Sequence, residues 1–153
     1  MTNLQEGDRA PDIQGEDQNG EVISFDRFEG QKVILYFYPK DNTPGCTSEA
    51  CNLRDNYQDL KDMGFEIIGV SPDSQQSHQK FIDKNSLPFR LLADPDKRIL
   101  NDYGVWGEKK RFGKVYEGVH RTTFIISEDR RIEKIIRKVD TKDHARQIMD
   151  ALQ

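Results

Sequence analysis

Three short stretches decide what this chain can fold into. "KVILYFY" (32–38), "FEIIGVS" (65–71) and "TTFIIS" (122–127) are continuous apolar runs rich in β-branched and aromatic residues. A strand with one wet face alternates polar and apolar residues, so an unbroken run reads as a strand covered on both faces. The intervening segments offer the cover. Residues 44–63 place Ala50, Leu53, Tyr57 and Leu60 at spacings of three, four and three, one face of a helix. Residues 74–85, 96–103 and 142–152 are shorter helical candidates, the first two preceded by the start signals "SPD" (71–73) and "DPD" (94–96).

Two hairpins complete the pattern. Asn19-Gly20 sits between alternating segments of "DIQGEDQNGEVISF" (12–25), and "RIEKIIRKV" (131–139) follows the third apolar run across the turn "EDR". The expected order is a hairpin, then β-α-β-α-β-α, then β-β-α. It predicts an α/β chain with a central mixed sheet and helices on both faces. No repeat or Pro/Gly/Ser-rich linker interrupts the 153 residues, which read as one domain spanning 1–153. "EKKRFGK" (108–114) reads as a solvated loop, with a docking patch for an acidic partner as the alternative, and Trp106 beside it as packing.

Bulk properties narrow the function. A net charge of −4 argues against a nucleic-acid partner or an anionic membrane surface. The longest apolar run, "VILYFY", is far short of the roughly 20 residues needed to cross a bilayer. The opening "MTNLQEGDRA" has no apolar core of a secretory signal. The expected address is the cytoplasm, where thiols stay reduced and structural disulfides are rare.

In that setting the two cysteines stand out, because both lie in "YFYPKDNTPGCTSEACN" (36–52). Thr43-Pro44-Gly45-Cys46 reads as a helix start, with Thr43 as N-cap and Pro44 at the first helical position. Cys46 then occupies the third position, beside unsatisfied N–H groups and the positive end of the helix dipole, which favour an ionised sulfur. It shares the apolar stripe with Ala50, whereas Cys51 shares a polar one with Arg54, Asp55 and Gln58. Five helical residues separate Cα atoms by about 8.6 Å. A disulfide needs about 4.4–6.8 Å, so bonding the pair requires the first turns to unwind. The bland alternative is a pair of buried, inert thiols in a binding module. Zinc fits poorly, because four residues rather than two separate the cysteines and His78, His120 and His144 are scattered. A thiol–disulfide oxidoreductase on the same fold also calls for C-x-x-C.

"PKDNTPGC" fits the P-x-x-x-T-x-x-C signature of peroxiredoxins, and "TPGCTSEAC" resembles the branch called bacterioferritin comigratory protein or peroxiredoxin Q. "VSPDSQQSHQKFIDKNSLPFRLLAD" (70–94), "YGVWGEKK" (103–110) and "HRTTFII" (120–126) extend the resemblance over residues 5–150. It implies a thioredoxin-like fold with an N-terminal extension. It implies thiol-dependent reduction of hydroperoxides without metal, haem or flavin. Residue by residue, Cys46 matches the peroxidatic cysteine, Cys51 the resolving cysteine, Thr43 the hydroxyl that orients the peroxide, and Arg121 the cationic partner. Pro39 and Gly45 match walls of the substrate pocket, and Glu49 a residue that holds Arg121. The implied cycle ends with a dithiol such as thioredoxin and runs within one chain, so a monomer is expected.

Reactivity of the sulfur alone explains little of such a rate. A thiol of pKa about 8.5 is roughly 3% ionised at pH 7, and lowering its pKa to about 6 raises the thiolate fraction about 30-fold. Nucleophilicity falls with the same change, by roughly 13-fold on the thiol–disulfide slope, leaving a net two- to three-fold gain. The larger contribution has to come from groups that place the peroxide and stabilise its leaving oxygen.

Overall fold

The computed structural model describes residues 2–153. Along the chain lie β1 (Gly15–Glu16), β2 (Val22–Ile23), a 3₁₀ turn at Phe25–Phe28, β3 (Lys32–Phe37), α1 (Pro44–Asp55), α2 (Tyr57–Asp62) and β4 (Phe65–Ser71). There follow α3 (Gln75–Asn85), β5 (Arg90–Ala93), α4 (Arg98–Asp102), β6 (Trp106–Arg111), β7 (Lys114–Val119), β8 (Thr122–Ile126), β9 (Ile132–Ile136) and α5 (His144–Ala151).

Seven strands form one mixed sheet in the order β2-β1-β5-β4-β3-β8-β9. β3, β4 and β5 run parallel, and β8 joins β3 antiparallel, pairing Phe37 with Thr122. The three apolar runs are thus β3, β4 and β8, adjacent at the centre, and every residue of β4 and β8 is buried. The N-terminal hairpin is present but short. It extends the main sheet by pairing Glu16 with Ala93 of β5.

Side chains alternate across β3 into two core layers. Val33, Leu35 and Phe37 pack with Phe28, Leu100 and Tyr103 on one face. Ile34, Tyr36 and Tyr38 pack under α1, α3 and α5 on the other, where Cys46, Leu53, Phe81 and Ile148 are all buried. α1 therefore starts directly over the C-terminal end of the central strand, the position that open α/β sheets use for binding and catalysis.

The structure corrects three expectations. The helix expected over 44–63 is interrupted at Asn56, whose side chain donates to the Asn52 carbonyl at 2.8 Å and whose backbone sits at φ −113°. A local side-chain bond of this kind competes with the helical ladder. Second, α3 is capped by Ser74, which accepts from the Ser77 N–H at 3.1 Å, and not by the "SPD" segment before it. Third, residues 108–114 are no loop. β6 and β7 form a separate antiparallel hairpin turning at Phe112 and Gly113, whose φ angles of 52° and 77° match a primed two-residue turn. Its residues 110–117 are exposed, so neither face carries the apolar alternation that marks a strand in sequence.

Candidate active site

The polar loop between β3 and α1 is held from within by Asp41. This buried carboxylate accepts from the Tyr38 hydroxyl at 2.5 Å and from Ser77 Oγ at 2.8 Å, and it lies 2.7 Å from His78 Nδ1. Its backbone N–H donates to Asp73 at 2.7 Å. Asn42, at φ 64°, then turns the chain through the left-handed region that asparagine tolerates. Asp41, Asp73 and His78 each bring one ligand atom within 4.8 Å of the others, but both Asp41 oxygens are taken by these donors and Asp73 Oδ2 accepts from the Asp41 N–H and from Ser71 Oγ. Sequence reasoning missed this anchor. Its trace was His78 on the same helical face as Phe81, a polar residue on an apolar stripe.

α1 begins where expected. Pro44 is the first helical residue, which places Cys46 third. Thr43 has the extended backbone of an N-cap and its carbonyl accepts the Thr47 N–H at 2.9 Å, but its hydroxyl does not cap. It donates to the Lys40 carbonyl at 2.9 Å instead, which corrects the expected cap and leaves the N–H groups of the first turn without that acceptor.

Cys46 is only 1% exposed, as its place on the apolar stripe requires. Arg121, from the residue just before β8, reaches it. Guanidinium Nη2 lies 3.3 Å from Sγ, and Nη1 donates to Glu49 Oε1 at 2.6 Å. The antiparallel pairing of β8 with β3 brings Arg121 to the start of α1. The guanidinium packs over Gly45, where a Cβ would sit in ordinary contact 3.4 Å from Nη2. Burial by itself would favour a neutral guanidine, but Glu49 and Cys46 more than offset it and push Arg121 above its ordinary range. A cleft lined by Lys109, His120, Arg121, Arg137 and Lys138 opens beside the guanidinium.

Glu49 is fully buried, and burial outweighs the opposing pull of Arg121, raising its carboxyl to about 7. Its second oxygen, Oε2, lies 3.6 Å from Nε2 of the equally buried His144, the first residue of α5. His144 also faces Thr123 Oγ1 at 2.8 Å and Gln147 Oε1 at 2.9 Å. Burial depresses His144 to about 4. The sequence reading proposed Glu49 as the holder of Arg121 but did not reach His144 or Thr123, which only the α1–α5 contact brings together.

Cys51 is half-buried on the other flank of α1, with its thiol 3.7 Å from Asn85 Oδ1 at the end of α3. Both cysteines are free and both lie within the intact helix. Pro39 and Gly45 are each half-buried, in the loop and in the first turn of α1. The structure therefore brings Cys46, Gly45, Arg121 and Glu49 together and keeps Cys51 apart.

Residues 6–135 match the AhpC/TSA family. The chain belongs to that family. Its relatives include peroxiredoxin Bcp of Bacillus subtilis, 44% identical over 146 residues and covering 95% of this chain and 93% of that one. A cysteine-to-serine variant of Xylella fastidiosa PrxQ superposes with a TM-score of 0.90 at 28% identity, over 99% of this chain and 97% of that one. A structure of the Xanthomonas campestris bacterioferritin comigratory protein, described in terms of its alkyl peroxide reduction activity, gives 0.87 at 31% identity, with 99% and 97% covered. The chain is thus a peroxiredoxin of the Bcp and PrxQ type, with the thioredoxin-like fold expected from its sequence. No helix among its described residues is long and apolar enough to cross a membrane.

Proposed function

We propose that this peroxiredoxin reduces hydroperoxides through Cys46, with Cys51 resolving the product and an external dithiol closing the cycle. The Cys46 thiolate attacks one oxygen of the peroxide. An S–O bond forms as the O–O bond breaks, and the departing oxygen takes a proton to leave as water or an alcohol. The sulfur, two electrons poorer, becomes a sulfenic acid. The Cys51 thiol then attacks that sulfur, water leaves, and an intramolecular disulfide results. A dithiol such as thioredoxin restores both thiols by exchange and becomes a disulfide itself. The cycle needs no second subunit, and a monomer working in the cytoplasm as one domain is the corresponding reading.

One observation carries it: a guanidinium 3.3 Å from a sulfur at the third position of a helix, itself held by a buried carboxylate. Arg121, the free N–H groups of the first turn and the Thr43 hydroxyl are the groups that orient the peroxide and receive the charge on its leaving oxygen. Steady-state peroxide turnover with thioredoxin, run on the parent and on Cys46→Ser, is the test. The reading requires turnover by the parent and none by the variant; peroxidase activity surviving without the Cys46 sulfur overturns it.

A further inference from the structure

The β6–β7 hairpin has two unlike faces. Residues paired across an antiparallel ribbon share a face, and successive pairs point to opposite sides. Trp106, Glu108, Glu117, Lys110 and Val115 therefore lie on one side. Trp106 is anchored there: its indole N–H donates to Glu117 at 3.1 Å, and Lys97 Nζ sits 5.1 Å from its ring centre. Lys109, Tyr116, Arg111 and Lys114 lie on the other side. Gly118 confirms this, since a Cβ there would meet the side chains of both Lys109 and Tyr116 at 3.3 Å.

This second face carries three cations and no carboxylate. It runs into the active site at Lys109, whose Nζ donates to the Val119 carbonyl at 2.9 Å and which lines the cleft together with Arg121, Arg137 and Lys138. None of Lys109, Arg111, Lys114, Arg137 and Lys138 is in an ion pair among the described residues. A chain of net charge −4 thus holds unpaired positive charge in one strip, from the hairpin turn to the guanidinium beside Cys46. The strand that carries it spans about 20 Å.

A strip of that length exceeds what a hydroperoxide needs, and its size suits a macromolecule. Like charges held together without counter-charges repel one another, and an acidic partner relieves that repulsion. Aromatic surface accompanies the charge. Tyr116 within the strip is 41% exposed, and Phe112 at the turn is 93% exposed. Exposed aromatic rings set among arginine and lysine combine an apolar anchor with electrostatic steering, the two elements of a protein–protein contact.

We propose that the cationic face of the β6–β7 hairpin docks the reductant: a protein dithiol with an acidic, partly apolar surface beside its thiols, steered along the strip toward Cys46. This deepens the reading above and rests on it, since there an external dithiol closes the cycle. It adds which surface receives that dithiol and what charge the dithiol must carry. Arg111 and Lys114, at the far end of the strip from Arg121, serve the approach of the partner and take no part in the attack on peroxide.

The experiment is steady-state peroxide turnover with an acidic thioredoxin and, separately, with dithiothreitol, a small uncharged dithiol. In the parent, kcat/KM for thioredoxin is expected to fall about tenfold between roughly 20 and 300 mM NaCl, while turnover with dithiothreitol stays level. Arg111→Glu combined with Lys114→Glu reverses two exposed charges. It lowers kcat/KM for thioredoxin by about tenfold or more and flattens the salt dependence, with the dithiothreitol rate unchanged. Salt-indifferent turnover with thioredoxin in the parent overturns the proposal even if the double variant does not fold. So does a double variant that thioredoxin serves as well as the parent, or one that loses as much rate with dithiothreitol. A parent dimer that the double variant lacks in sedimentation would assign the strip to a second copy and overturn it too. Failure of the underlying reading is a separate outcome: it shows as peroxide turnover by Cys46→Ser with either reductant.

Discussion

The Arg121 guanidinium lies 3.3 Å from the Cys46 sulfur although 75 positions separate them in the chain. Two unrelated pieces of secondary structure create this contact. The apolar run of β3 delivers the loop that opens α1, and the antiparallel β8 returns beside it with Arg121 at its near end. The same junction gives Arg121 a second anchor in Glu49, one turn along α1. Each part of that arrangement makes a separate demand that can be measured.

Resolution by Cys51 requires α1 to open. With both cysteines in the helix their Cα atoms are about 8.6 Å apart, beyond the reach of a disulfide. Cys51→Ser is expected to form one sulfenic acid per chain and then stall before thioredoxin recycling, with faster over-oxidation. Mass spectrometry after one equivalent of peroxide reads this directly. An internal disulfide in that variant would rule Cys51 out.

Opening α1 also reaches α5. Asp143 supplies no side-chain cap to that helix; the cap comes from Asn52, whose Oδ1 accepts the Ala145 N–H at 2.8 Å while its Nδ2 donates to the Lys142 carbonyl at 3.3 Å. On oxidation, hydrogen exchange is expected to quicken over residues 44–55 and over the first turn of α5 together. Asn52→Ala, losing the cap, should destabilise the reduced protein by about 1 kcal/mol in urea unfolding. Exchange in α5 indifferent to oxidation would contradict the link.

Buried Glu49 also makes stability depend on pH. Its carboxyl titrates at about 7 in the fold, against 4.5 in an exposed setting. A raised folded value means the native state binds the proton more tightly. The associated stability is present below about pH 4.5 and is lost as pH rises through 7. Glu49→Gln is therefore expected to gain on the parent by a few kcal/mol at about pH 8, with the difference closing toward about pH 4.5. Denaturant midpoints at the two pH values give the answer, and a gain that grows in acid would have the wrong sign.

The loop anchor predicts a different loss. Asp41 satisfies three buried or half-buried side chains, so Asp41→Ala strands their polar atoms and frees the segment that presents Thr43. The expected cost is about 3 kcal/mol of stability, with a marked fall in peroxidase rate. Full stability in that variant would show that the network does not hold the loop.

How much of this was legible beforehand follows from the kind of signal each part leaves. The apolar runs of β3, β4 and β8 announce a doubly covered sheet, because burial on both faces erases alternation. Thr43-Pro44-Gly45-Cys46 marks the helix start, because Pro44 suits only that end. The hairpin of β6 and β7 left no such mark, since Lys110 and Val115 pair on a ribbon with no core to face. Likewise His144 and Thr123 meet Glu49 only through packing of α5 and β8 against α1, a long-range contact without a local pattern. The Thr43 hydroxyl misled for a similar reason, as the Lys40 carbonyl that claims it belongs to the shape of the loop.

The direct test of the central claim is Arg121→Ala, with second-order peroxide rate and Cys46 thiolate fraction measured on the same samples. If the guanidinium acts chiefly on the peroxide, the rate should drop by about 100-fold or more, while the thiolate fraction changes by much less than that. Matching losses in the two quantities would mean that Arg121 does no more than ionise the sulfur, and would contradict the account.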